Sequence, residues 1–170
     1  MDDTRILEKD YTEEETGQQV LENEGTLLEG LLAAADYASN EELTLNITRN
    51  GKRYFSFTVH PIPEDRMQEI RKKYTRYEKN RKNGMIVSEE LDVAKFRSSV
   101  IYNSTVEADK EKIWDNKQLW EGLRRQGKNI VNALDVIEAV LLQGEKERIM
   151  KALDQLCGYD EDALIETAKN

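Results

Sequence analysis

Two runs of alternating residues on either side of an Asn-Gly pair constrain this chain most. Leu43, Leu45 and Ile47 alternate with Thr44, Asn46 and Thr48, and Phe55, Phe57 and Val59 alternate with Ser56 and Thr58, around Asn50-Gly51. A period of two describes strands with one buried face, and Asn-Gly between them predicts a β-hairpin. The register follows from the pattern. A two-residue Asn50-Gly51 loop pairs Arg49 with Lys52 and, continued without interruption, turns the apolar sets of the two strands to opposite faces. A three-residue loop, Arg49-Asn50-Gly51 with Gly51 left-handed in a bulge, pairs Ile47 with Arg53, Leu45 with Phe55 and Leu43 with Phe57, and keeps the apolar faces together. The bulged loop is the expectation.

Elsewhere the spacing is helical. Thr26-Leu27-Leu28-Glu29 fits a capping box, which predicts a helix starting at Thr26 with Leu27, Leu28, Leu31, Leu32 and Ala35 on one side. Pro63-Glu64-Asp65 predicts a helix running to about Asn80, with Met67, Ile70, Tyr74 and Tyr77 as its apolar stripe and Asn83-Gly84 beyond its end. Ser88 followed by Glu89 and Glu90 predicts the start of another, carrying Leu91, Val93, Phe96, Val100 and Ile101 inward. A short helix with Leu119, Trp120 and Leu123 leads to Gly127. The stretch from Ile130 to Leu142 is apolar almost all round and reads as the central helix, broken at Gln143-Gly144. A last helix carries Ile149, Met150, Leu153 and Leu156 and stops at Gly158.

The expected fold is therefore α+β and mostly α, an N-terminal hairpin over residues 43–59 packed against a bundle of about five helices within 63–158. Residues 1–25 read as an acidic flexible tail, 26–159 as a single domain and 160–170 as a frayed tail, with Asp160 a candidate cap for a last turn. A chain of 170 residues suits one domain of this kind.

Charge is unevenly spread. The net charge is -9, yet residues 1–24 hold nine acids against Arg5 and Lys9, while residues 64–82 hold eight bases against four acids. An acidic chain repels phosphate, so a general nucleic-acid binder is not expected, although Tyr74 and Tyr77 among Arg71, Lys72 and Lys73 are the arrangement such a binder would use. No apolar run is long enough for a membrane span and Met1-Asp2-Asp3-Thr4 does not begin a signal peptide, so the expected location is the cytoplasm.

Residues for catalysis are scarce. His60 and Cys157 are the only residues of their kinds, which leaves neither a zinc site of nitrogen and sulfur ligands nor a Ser-His-Asp triad. Gly25-Thr26 and Gly30 lack the spacing and the lysine of a phosphate loop. Asp135 and Glu138 share a helix face and read as its solvated side, His60 as structural, and Cys157 as a small core residue. Trp114 and Trp120 suit either the core or an interface. No catalytic, cofactor or metal residue is assigned, and no enzymatic activity is expected.

The order of segments resembles the tail assembly chaperones of long-tailed bacteriophages and phage-like particles, of the XkdN-like type. The likeness lies in the passage Val59-His60-Pro61-Ile62-Pro63-Glu64-Asp65-Arg66-Met67 through Tyr74, in Leu91-Asp92-Val93-Ala94-Lys95-Phe96 running on to Asn103-Ser104-Thr105-Val106-Glu107, and in Leu141-Leu142-Gln143-Gly144-Glu145 through Leu156-Cys157-Gly158-Tyr159. It spans about residues 26 to 159. Where relatives often have Glu-Pro, this chain has Glu107-Ala108. The resemblance implies a protein that binds the tape-measure protein during tail morphogenesis in the bacterial host cytoplasm, with the tail-tube protein as a second candidate partner and without cofactor or chemistry. It carries no partner-binding residue over to this chain. A structural tail or baseplate subunit and a small nucleic-acid-binding regulator are the competing expectations.

Overall fold

A computed structural model of the chain describes residues 13–159, and the side chains of 25–37 and 40–159. The described residues divide into two units between Ser39 and Asn40.

The first unit holds all but the last residue of helix α1, Glu13–Asn40. It starts well before Thr26, which corrects the expected helix start and places residues 13–24 in a helix rather than a tail. Glu13, Glu14 and Glu15 sit at the positive end of the helix dipole, and the Glu, Gln and Leu residues that follow lose little rotamer freedom in a helix. Neither the local capping signal at Thr26 nor Gly17, Gly25 and Gly30 interrupt the helix. Residues 1–12 and 160–170, with the tail and the Asp160 cap expected there, lie outside the described residues.

The second unit opens with the hairpin β1 (Leu43–Arg49) and β2 (Lys52–Val59). Asn50 and Gly51 have φ of 50° and 75°. Positive φ at both central residues is the signature of a two-residue type I′ turn, whose twist matches that of the strands. Arg49 pairs with Lys52 and Thr48 with Arg53, but then Ile47 pairs with Phe55, Leu45 with Phe57 and Leu43 with Val59. The expected three-residue loop is thus corrected. The extra residue is Tyr54, bulged out of β2 and largely exposed between Arg49 and Lys52, whose charged ends lie 5.4 and 5.5 Å from its ring centre. The apolar faces coincide as the pattern required, through a bulge in the strand instead of one in the turn.

Helix α2 spans only Glu64–Tyr74, after which Thr75–Lys79 forms β3 and pairs with β4, Ile86–Leu91. Two expectations fall together. The helix to Asn80 ends early because Thr75 and Tyr77 favour extended backbone and find a partner strand, with Gly84 at φ 68° in the connection. Ser88, Glu89 and Glu90 lie in β4 and cap nothing. The cap of α3 (Val93–Ser104) is Asp92, whose carboxylate accepts from the Lys95 N–H. Ile70 is buried and Met67 and Tyr74 half-buried, whereas Tyr77 is exposed on the ribbon.

After α3 the short α4 (Glu107–Asp109) runs into a π-helical turn, Lys110–Trp114, closed by Asp115 N–H donating to the Lys110 carbonyl at 2.8 Å. The wide turn delivers Trp114 to the centre. Helix α5 is Lys117–Arg125, α6 is Ala133–Val140 and α7 is Gln143–Leu156. Helix α6 is shorter than the apolar run predicts, because Asn132 and Asp135 close a capping box at its start and Leu141 leaves it extended. Gln143-Gly144 opens α7 instead of only breaking α6. Gly158, at φ 88°, follows α7 as expected of a left-handed helix terminus. The architecture is α+β and mostly α, with the hairpin on helices, plus an unforeseen second ribbon.

The core joins Ile47, Phe57 and Val59 of the hairpin to Val100 and Ile101 of α3, Val136 and Ile137 of α6, and Ile149 and Leu153 of α7. Trp114, fully buried, stands edge-on to Phe57 and Phe55 at 5.3 and 6.2 Å between ring centres. Its Nε1–H donates to Thr105 Oγ1 at 3.0 Å, and Trp120 Nε1–H donates to the Trp114 carbonyl at 2.7 Å. Both indoles therefore belong to the core, with their polar edges satisfied.

Candidate partner-binding surfaces

The residues singled out for possible chemistry are occupied by structure. His60 Nδ1 lies 2.9 Å from the Pro61 carbonyl. Cys157 is a half-buried free thiol at the end of α7. Asp135 accepts the Val131 and Asn132 N–H groups and holds the start of α6. Glu138 accepts from buried Ser98 and, at 2.6 Å, from Lys146, so it ties α6 to α3 and α7. A cleft of about 340 Å3 beside this group is lined by Tyr74, Asp92, Lys95, Asp135 and Glu138. Among the described residues no group of three or more His, Cys, Asp or Glu side chains is placed to hold a metal ion. No described helix is long and apolar enough to cross a membrane.

Several polar residues that the sequence did not single out turn out to organise the fold. Arg49 reaches from the hairpin to Glu145 in α7, and its Nη2 also donates to the Val140 carbonyl at 2.7 Å. Asp109 accepts the Thr58 N–H at 2.7 Å, closing the outer edge of β2. No local spacing pattern links residues this far apart. Nothing in the sequence set Glu145 apart, since Glu147 stands two residues on in a helix that also carries Lys146, Arg148, Lys151 and Asp154.

The surface is more informative than the clefts. On α1, Leu27, Leu28, Leu31 and Leu32 are between 58% and 63% exposed, and Tyr37 is also exposed. Their spacing gathers them on one side of the helix. Helix α1 carries seven acids (Glu13, Glu14, Glu15, Glu22, Glu24, Glu29, Asp36) and no lysine or arginine. On the second ribbon Met85, Ile86 and Val87 are more than half exposed next to Arg81 and Lys82. Scattered exposed leucines are ordinary; four on one helical stripe are not.

A mostly helical α+β protein with an apolar stripe on an acidic helix belongs among proteins that act through their surfaces. The chain belongs to the phage XkdN-like tail assembly chaperone family, whose family model matches residues 28–169. As a member of that family it is a phage tail assembly chaperone, and its partners are tail proteins. No protein with a curated description and no solved structure matches it.

Proposed function

We propose that this chaperone binds the tape-measure protein of the tail during morphogenesis, in the bacterial host cytoplasm and without chemical conversion of its partner. Family membership carries the reading, since it makes the chain a tail assembly chaperone. The exposed leucines of α1 support it. A tape-measure segment is long, helical and amphipathic, and its apolar stripe would aggregate unless covered. An amphipathic helix is covered by another apolar stripe or groove, and the acids around the α1 leucines would keep the complex soluble.

Co-expression with the tape-measure protein, followed by affinity capture through a tag on this chain, tests the reading. Stoichiometric retention of the tape-measure protein is expected, together with absence of this chain from purified particles. Failure to retain it, with normal tails after deletion of this gene, overturns the proposal. Presence in finished particles at fixed ratio would make it a structural subunit instead.

A further inference from the structure

The two edges of the β1–β2 hairpin are treated differently by the rest of the fold. The outer edge of β2 is closed: Val106 N–H donates to the Thr58 carbonyl at 3.0 Å, His60 N–H to the Ser104 carbonyl at 2.8 Å, and Thr58 N–H to Asp109. Thr58 therefore turns its backbone groups away from β1. Opposite residues of an antiparallel pair turn both sets of groups inward or both outward, so Thr44, the partner of Thr58, turns its own N–H and C=O away from β2. The two threonine hydroxyl oxygens lie 3.1 Å apart, as the close spacing of a non-hydrogen-bonded pair allows. By the two-residue period of the strand, Asn46 and Thr48 face the same way.

Among the described residues no third strand covers this edge, since the sheet there holds β1 and β2 only. Among the described residues no group bonds to the outward backbone of Thr44, Asn46 or Thr48. A cleft of about 270 Å3 runs along it, lined by Leu45, Asn46, Ile47 and Thr48 of β1 and by Glu145, Arg148 and Ile149 of α7. Four consecutive residues of one strand share a cleft only through the strand's edge, because their side chains alternate between faces. Edges left open are commonly blunted by proline, lysine or a bulge. This one has none of these between Leu43 and Thr48, and the hairpin's bulge lies in β2.

The charge in the cleft narrows the occupant. Glu145 is held by Arg49, while Arg148 is exposed, makes no salt bridge among the described residues, and acts on Glu145 only through its field. We propose that the open edge of β1 is a strand-addition site for an extended segment of a tail protein. That segment carries apolar side chains at alternate positions and a carboxylate that meets Arg148. Its backbone pairs with Thr44, Asn46 and Thr48, and its apolar side chains lie against Leu45, Ile47 and Ile149. A second copy of this chain fits less well, because β1 contains no acid and ends in Arg49. The inference deepens the functional reading above and rests on it only in taking the partner to be a tail protein.

The test is a set of overlapping synthetic peptides covering the tape-measure and tail-tube proteins of the same particle, titrated against the full chain. Asn46→Pro removes one outward N–H without touching a β1–β2 bond, and Arg148→Glu reverses the arginine's charge on an exposed site. Binding by one or more acidic, alternately apolar peptides is expected, weakened about tenfold or more by each variant and unchanged by Asn46→Ala. Retention of full-length tape-measure protein is measured in parallel. If wild type and both variants retain it equally and no peptide is edge-dependent, the strand-addition site is overturned and the tape-measure reading stands. If wild type does not retain it but tail-tube peptides bind in an edge-dependent way, the tape-measure reading falls and the site stands. Binding that Arg148→Glu leaves intact overturns the site even should Asn46→Pro misfold. So does self-association of the wild type that Asn46→Pro abolishes.

Discussion

Arg49, the last residue of β1, and Glu145, in the first turn of α7, form a two-pronged ion pair with Nε to Oε1 at 2.7 Å and Nη2 to Oε2 at 2.8 Å. The carboxylate is 3% exposed and also accepts the Leu142 N–H at 2.8 Å, so one acid holds the hairpin and the α6–α7 corner together. Breaking such a pair leaves the other charge stranded in a poorly solvated place. Since the Arg49 side chain is 31% exposed, the cost falls short of that for a fully buried pair. Glu145→Gln and Arg49→Met should each lower stability by about 2–3 kcal/mol in urea unfolding.

The same pair sets a pH dependence. The Arg49 hydrogen bonds, helped by the Leu142 N–H, hold the Glu145 carboxyl below the usual carboxylate range. A depressed acid contributes stability that is present above its unfolded value of about 4.3 and is lost as pH falls through its folded value. Urea midpoints measured from pH 6 down to pH 3 should therefore fall more steeply for the wild type than for Glu145→Gln.

Trp114 fixes the hairpin onto the helices through its edge-on contacts with Phe55 and Phe57 and its bond to Thr105. Trp114→Ala opens a large cavity and leaves Thr105 short of a partner, at a cost of about 3–5 kcal/mol. Trp114→Phe keeps most of the ring volume and should cost less, largely through the lost donor. Because Trp114 and Trp120 are both buried, native emission should be blue-shifted and should move to the red in one transition with the loss of far-ultraviolet ellipticity.

What the sequence made legible was governed by near neighbours along the chain. The hairpin, the cap at Gly158 and the helix around Leu119, Trp120 and Leu123 depend on spacing and turn residues within a dozen positions. Where the chain chose between two local signals, a distant partner decided. Thr75–Lys79 continued a helical stripe on paper but found β4 to pair with. The alternating pattern called for an extra residue but put it in the loop, whereas Asn50-Gly51 keeps its preferred tight turn and the extra residue is Tyr54 in β2. No binding residue was legible. An open strand edge is defined by what closes the opposite edge, and Asp109 and Val106 lie some fifty residues from Thr58.

Tyr102 donates its hydroxyl to Asp115 Oδ2 at 2.9 Å. Burial, and then the bond to Asp115, push its phenol up to about 12. An acid whose folded value is raised contributes stability that is complete below its unfolded value of about 10 and disappears as pH rises through the folded one. An ultraviolet titration near pH 11 should show a late tyrosine ionisation, that of Tyr102, while the chain stays folded. That late step should vanish in Tyr102→Phe, and the stability lost between about pH 10 and 12 should shrink with it.

The leucines of α1 are where stability and function should separate. Leu28 and Leu31 are 58% and 60% exposed, so they contribute little buried area within the chain. Replacing both with glutamate should change the unfolding free energy of the rest of the protein by no more than about 0.5 kcal/mol, the range expected of surface sites. The same double substitution removes the middle of the apolar stripe and adds two charges that a partner's apolar face would have to desolvate. In the co-expression assay it should strongly reduce retention of the tape-measure protein while the chain itself remains folded. Undiminished retention would mean that this stripe is not the surface that covers the partner. A large loss of stability would mean that the leucines serve the fold instead.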